Sequence, residues 1–373
     1  MELDKLGLND VLKKLKEDLE NFKNAKIKCG IIGRSGTGKS SLINAIAGEE
    51  VAEVGEIETT MNIKEPIEHG GLLFYDLPGC GTSNFPKENY IEEFDIQDFD
   101  CVILVTSDRF YEDDLFLIEE LVRIKKPVYA VRTKLDFSVD RGLRRGVSES
   151  ETYSTIYNNL TEMLTGYRVK GIYLLSSDFP TQYDFSKLLE DIYSSLSNFK
   201  KERFIADINI TSETILLEKR KIAHKIVSRY SALAAANGLN PIPGLDVGVD
   251  VTLMITMSKQ VQNIYGINAE QQEYSMQLLD KKSAKFIATK VLQYTSRYGG
   301  KEAIMLLLKK LSTTLVAKTA SKWIPFVGPI IAAGIGFKMT SWIGNDMIKD
   351  AEEIAQETFN SFKKTETSKD NIL

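Results

Sequence analysis

The run Gly33-Arg34-Ser35-Gly36-Thr37-Gly38-Lys39-Ser40 holds the first residues whose types and spacing could do chemistry. Small residues let successive backbone N–H groups turn toward a single anion. A lysine at the end of such a turn reaches phosphate oxygens, and a hydroxyl beside it can ligate magnesium. The run fits G-x-x-x-x-G-K-[ST] at every fixed position. An apolar segment, Lys28 to Ile32, precedes it, and Ser41-Leu42-Ile43-Asn44-Ala45 follows. Strand before and helix after is the required context, because the helix then offers its positive end to the phosphates. Arg34, Ser35, Gly36, Thr37, Gly38, Lys39, Ser40 and Ser41 are the expected phosphate-side residues, with Lys39 on the β- and γ-phosphates and Ser40 on magnesium.

Two further stretches complete a pocket. In Leu73-Phe74-Tyr75-Asp76-Leu77-Pro78-Gly79, an aspartate ends an apolar run three residues before a glycine. Asp76 would hold the ion directly or through water, and Gly79 would bring its N–H to the γ-phosphate, since glycine allows close backbone approach. Thr133-Lys134-Leu135-Asp136 follows another apolar run. A carboxylate at 136 can accept both N1–H and the exocyclic amino group of guanine. Adenine offers no such donor pair on that edge. The Lys134 stem would cover the base, and Ser176-Ser177 would touch it from the other side. Between the loop and Asp76 lies Thr59-Thr60; one threonine there would ligate magnesium and close over the γ-phosphate, with Thr60 preferred to Thr59. These residues imply GTP or GDP with Mg2+, and hydrolysis to GDP and phosphate. They disfavour an ATPase or nucleotide kinase.

Lys39, Thr60, Gly79 and Arg34 are the expected catalytic set, with Ser40, Thr60 and Asp76 on the metal. After Gly79 stands Cys80, where small signalling GTPases place a water-orienting glutamine. Slow hydrolysis, assisted by a partner or second copy, follows. Arg34, or Arg144 or Arg145, would supply transition-state charge. The alternative is a GTP-occupied switch or scaffold with negligible turnover.

The elements that must position these residues alternate. Strands are expected at Ile27–Ile32, Leu72–Tyr75, Cys101–Thr106, Val128–Arg132 and Ile172–Leu175, with one more edge strand within 60 to 67. Helices are expected to begin near Gly38, Tyr111, Val147 and Asp184. That order predicts a mostly parallel six-stranded sheet covered by helices on both faces. Beyond residue 200 only helical patterns remain, at 201–236, 245–265, 267–296, 300–321, 327–344 and 345–364. An amphipathic helix over the first 24 residues has no partner in the α/β part. The expected domains are therefore 26–199, and a helical domain of 200–373 joined by residues 1–25.

The chain has 373 residues and a formal net charge of -5. Mild acidity lends no support to a nucleic-acid partner. Acidic residues crowd positions 49 to 100 as either a solvated face or a docking surface. Cys29, Cys80 and Cys101 show no paired spacing, and His69 and His224 stand apart, so neither a disulfide framework nor a His/Cys zinc site is indicated. No secretory segment, myristoylation glycine or prenylation cysteine is evident, and the apolar stretch Trp323 to Phe337, about 15 residues, falls short of the roughly 20 a spanning helix needs. A cytoplasmic protein is expected. Pro241–Met257 and Trp323–Ile343 read as core hairpins of a helical bundle, or the Trp323–Phe337 hairpin or the Met305–Lys318 segment docks on a membrane surface.

Together, Gly36-x-Gly38-Lys39-Ser40-Ser41-Leu42-Ile43-Asn44-Ala45, Glu58-Thr59-Thr60-Met61, Asp76-Leu77-Pro78-Gly79, Thr133-Lys134-x-Asp136 with Arg144-Arg145, and Leu174-Leu175-Ser176-Ser177 resemble the immunity-related GTPase family, interferon-inducible in vertebrates. Asn240-Pro241-Ile242-Pro243-Gly244-Leu245-Asp246 is similar to the family's helical segment at the matching place, and also to domains that accompany bacterial GTPases. The family often carries an acidic residue where this chain has Arg34. The resemblance implies a G domain on a helical domain built from both chain ends. It also implies GTP-dependent self-assembly across the nucleotide face, as a homodimer or larger, and reversible action at intracellular membranes.

Overall fold

The computed structural model describes residues 8–54, 65–82, 84–238, 251–319 and 328–370. Two compact units divide the chain: one comprises 25–215 with 273–275 and 362–373, the other 1–24 with 216–272 and 276–361.

The first unit is built on a six-stranded sheet in the order β2-β3-β1-β4-β5-β6. Its strands are β1 (Ile27–Ile32), β2 (Ile67–His69), β3 (Leu72–Leu77), β4 (Cys101–Thr106), β5 (Val128–Arg132) and β6 (Gly171–Leu174). All pair in parallel except β2, which runs antiparallel to β3 at the edge. Both faces of β4 and β5 are apolar and buried, as parallel strands require. One face, with Val102, Leu104, Val128 and Ala130, packs on helices α4 (Glu112–Arg123), α5 (Leu135–Leu143) and α6 (Glu149–Met163) through Leu117, Leu121, Leu135 and Leu160. On the other face, Tyr129 donates its hydroxyl hydrogen to Ser195 Oγ at 2.9 Å, and Tyr173 donates to Asp191 Oδ2 at 2.7 Å. Both acceptors sit on α7 (Phe185–Ser195). The unit also contains α2 (Lys39–Ala47), a short α3 (Tyr90–Glu93) and α8 (Asn198–Asp207).

The edge strand is shorter and later than expected, at Ile67–His69. Pro66 precedes it and has no N–H to give a ladder; residues 60–64 lie outside those described.

The helical part holds α1 (Leu8–Asn24), α9 (Glu213–Gly238), α10 (Val251–Tyr265), α11 (Ala269–Leu278), α12 (Lys281–Tyr298), α13 (Lys301–Thr319) and α14 (Gly328–Asp370). Three departures from expectation have local causes. The pattern over 201–236 is broken at 208–212, where Ser212 Oγ accepts Ile215 N–H at 3.2 Å to begin α9. The pattern over 267–296 splits at Asp280, whose Oδ1 accepts the N–H groups of Lys282 and Ser283 at 2.9 and 3.1 Å and so starts α12. At the other extreme, 327–344 and 345–364 fuse into α14. Gly344 does not end a helix there: a Cβ on it would lie 2.4 Å from Val227 Cγ1 and 3.2 Å from Met257 Cε, so the glycine admits α9 and α10. Of the hairpins expected at Pro241–Met257 and Trp323–Ile343, residues 241–250 and 323–327 lie outside the described residues, while 251–257 belong to α10 and 328–343 to α14. Among those described, no helix is long and apolar enough to cross a membrane.

Replacing Gly344 by valine should cost about 1–3 kcal/mol, because two side chains would overlap at a fixed crossing. Thermal unfolding measures this. Val227→Ala in the same chain should recover part of the loss, and a Gly344→Val variant as stable as the parent would remove the crossing.

Candidate nucleotide site

The first motif lies at the carboxyl end of β1, between β3 and β4, where the strand order reverses. The sheet brings the remaining motifs to the same end. Asp76 is the register partner of Ile31. Thr133 follows β5 directly, and Ser176 stands two residues beyond the end of β6.

The loop from Gly33 to Gly38 has the backbone shape its glycines were chosen to permit. Gly36 and Gly38 have φ of 75° and 88°, in the left-handed region. Gly33 is pressed on the sheet: a Cβ there would lie 2.3 Å from the Val105 carbonyl oxygen. Outward-turned carbonyls find donors. Arg34 O accepts Thr37 Oγ1–H at 2.8 Å and Lys39 Nζ at 3.4 Å. Gly36 O accepts Lys134 Nζ at 2.8 Å. Thr37 O accepts the Thr133 hydroxyl, which also lies 3.2 Å from Thr106 O. Ser35 is exposed on the loop, and Ser41 follows in the first turn of α2.

Lys39, Ser40 and Asp76 converge. Ser40 Oγ donates to Asp76 Oδ2 at 2.9 Å, and Lys39 Nζ stands 3.5 Å from Asp76 Oδ1. A hydroxyl and a carboxylate so placed are the hard oxygen donors that magnesium takes. Gly79 lies beside Arg34, and a Cβ on it would be 3.1 Å from Arg34 Cγ.

On the base side, Lys134 adopts φ 57° and opens α5, so Asp136 falls in that helix's first turn. The Asp136 Oδ1 atom is buried with no hydrogen-bond partner. Burial raises this carboxyl above the ordinary aspartate range, while the Ser176 hydroxyl bond draws it back and Asp178 raises it further. A buried, under-satisfied carboxylate oxygen is costly unless a donor arrives. It therefore fits the edge of a base that presents N–H groups. Ser176 is fully buried and Ser177 half-buried beside it.

Other expected residues are placed elsewhere or are not described. Arg34 is exposed and turns its guanidinium over the Tyr111 ring, 3.6 Å from the centroid. Arg144 is bound to Asp140 on its own helix, at 2.8 Å, and Arg145 is exposed. Thr59 and Thr60 lie outside the described residues. Cys80 is buried, and burial first, then Asp113 and Asp114, pushes its thiol up to about 12, so it stays protonated at neutral pH. Tyr111 and Asp114, which engage the loop arginine, were missed in the sequence because no motif marks them.

Thr133→Val keeps the shape of the buried side chain and removes the hydroxyl that ties the two loops. The nucleotide-free chain should lose about 1–3 kcal/mol on urea unfolding. An unchanged midpoint would show that the tie contributes nothing.

The sequence model of the interferon-inducible GTPase family matches residues 1–319. Interferon-inducible GTPase 1 of Mus musculus is 26% identical over 270 residues, covering 68% of this chain and 64% of that protein. Interferon-inducible GTPase 5 of Rattus norvegicus is 26% identical over 360 residues, covering 91% of this chain and 77% of the relative. Among solved structures, the FeoB G-domain from Methanococcus jannaschii aligns with 46% of this chain and 98% of its own, at 21% identity and a TM-score of 0.29. With the Gly33–Ser40 loop at the sheet's switch point, and the family's sequence model matched over residues 1–319 of 373, the chain belongs to the interferon-inducible GTPase family.

Proposed function

We propose that this protein binds GTP and hydrolyses it to GDP and phosphate in a magnesium-dependent reaction, with residues 26–199 as the G domain and the helical parts, 1–25 and 200–373, as its effector. The observation that carries this reading is the buried, unpartnered Asp136 Oδ1 at the same sheet end as Lys39, Ser40 and Asp76. Asp136 accepts the N1–H and amino protons of guanine, and the Lys134 stem covers the base. Ser176 and Ser177 close the other side. The amides from Arg34 to Ser41 hold the phosphates, and Lys39 balances charge at the β,γ bridge. Ser40, Asp76 and Thr60 hold magnesium, which on binding would neutralise charge building on the phosphate oxygens. Gly79 gives its N–H to the γ-phosphate.

Self-assembly across the nucleotide face and peripheral action at an intracellular membrane belong to the same reading. Kinship with the family supports both, and the exposed Met305 and Leu306 on α13 suit the second. Light scattering with GDP and with a non-hydrolysable GTP analogue tests the first; flotation with liposomes in the same two states tests the second.

A second reading, a GTP-held switch with negligible turnover, is favoured by Cys80. Its buried, protonated thiol cannot act as a base or orient water as a glutamine would.

Phosphate release across a range of protein concentrations separates the two. Turnover per chain that climbs with concentration supports assisted hydrolysis, whereas bound GTP with no release at any concentration supports the switch. ATP competing as well as GTP would overturn both. Asp136→Ala should weaken GTP binding about 100-fold, the loss of two hydrogen bonds to a charged acceptor, while circular dichroism stays that of the parent.

A further inference from the structure

Arg34 leaves the phosphate loop sideways. Its stem runs along Gly79, whose missing side chain would otherwise stand 3.1 Å from Arg34 Cγ and 3.4 Å from Arg34 N. Its guanidinium then lies flat on Tyr111, 3.6 Å from the ring centroid, with Arg109 at 5.1 Å from the same ring. Tyr111 is itself pinned. Its backbone N–H donates to Asp114 Oδ2 at 2.9 Å, and Asp114 is only 6% exposed. Burial raises the Asp114 carboxyl, and the Tyr111 N–H and the Arg34 charge pull it back. An exposed arginine is normally free to sample many rotamers, which costs entropy to fix. Here an aromatic face holds it, and a buried carboxylate holds the residue that carries that face.

We propose that Tyr111 and Asp114 are positioning residues for GTP turnover: they hold Arg34 across Gly79, and so set the Gly79 segment against the pocket of Lys39 and Ser40. This rests on the GTPase reading above. Gly79 has no side chain with which to anchor itself, and its N–H must meet a phosphate that Lys39 also meets. The Arg34 stem supplies the missing anchor from the phosphate loop, and α4 supplies the anchor for Arg34. The guanidinium thereby acts through the position of another group rather than on the transferred phosphoryl.

Four variants test it: Arg34→Ala, Tyr111→Ala, Tyr111→Leu and Tyr111→Phe, with the double variant Arg34→Ala/Tyr111→Ala. Tyr111→Leu keeps bulk without a π face, and guards against a folding defect in the alanine variant. Expected are a roughly 10-fold fall in kcat for Arg34→Ala, Tyr111→Ala and Tyr111→Leu, with KM within twofold of the parent. Tyr111→Phe should stay within twofold of the parent in both constants. The double variant should be no slower than the slower single. A rise in kcat on removing Tyr111 would overturn the proposal, since it would mean the ring withholds an arginine that acts directly. Fully additive losses would overturn it too. A thermal-unfolding cycle on the same variants without nucleotide gives an independent readout. Coupling between positions 34 and 111 together with the fall in kcat supports the proposal; zero coupling, or coupling with kcat unchanged in every variant, overturns it. A parent that fails to release phosphate sinks the hydrolysis reading alone.

Discussion

The site depends on one backbone constraint. For a loop to aim its N–H groups at a phosphate, its carbonyls must point away from the ligand, and each then needs a donor from protein or water. This chain meets that need from three directions. Arg34 O is served from within the loop and by Lys39, Gly36 O by Lys134, and Thr37 O by Thr133. The glycines at 36 and 38 provide the left-handed turns, and Gly33 lets the loop rest directly on the Val105 carbonyl. Because two of the three carbonyls are served from the Thr133-Lys134 pair, the base-side motif is part of the phosphate loop's own hydrogen-bond satisfaction.

Much of this was legible in the residues. The three motifs are local in sequence, and the strands Ile27–Ile32, Cys101–Thr106 and Val128–Arg132 have the limits the apolar runs give, whereas β3 runs on through Asp76 to Leu77. What escaped depends on partners distant along the chain. Gly344 reads as a break until Val227 is seen against it. Asp280 and Ser212 are caps that stand in the middle of long helical sequence patterns. Arg34 reads as a residue aimed at phosphate because its spacing says loop, whereas its resting place is set by Tyr111 on another element.

In the helical part, α14 is bound along one side by charge. Arg220 on α9 makes a forked pair with Glu352, Lys290 on α12 meets Glu353, and Arg297 bridges Asp346 and Asp350 at 3.0 and 2.7 Å. These pairs are partly exposed, so each adds little stability. Their order along the helix instead fixes its register, since sliding α14 by one turn would exchange partners at every site. The buried Lys219, donating to Ile264 O at 2.6 Å, stands at the C-terminal end of α10, where a cation complements the helix dipole.

The bond from Lys134 to Gly36 O couples two loops that leave different strands. With the Thr133 hydroxyl bonded to Thr37 O beside it, the segment after β5 and the loop after β1 form one jaw rather than two. A displacement of either is shared by the other.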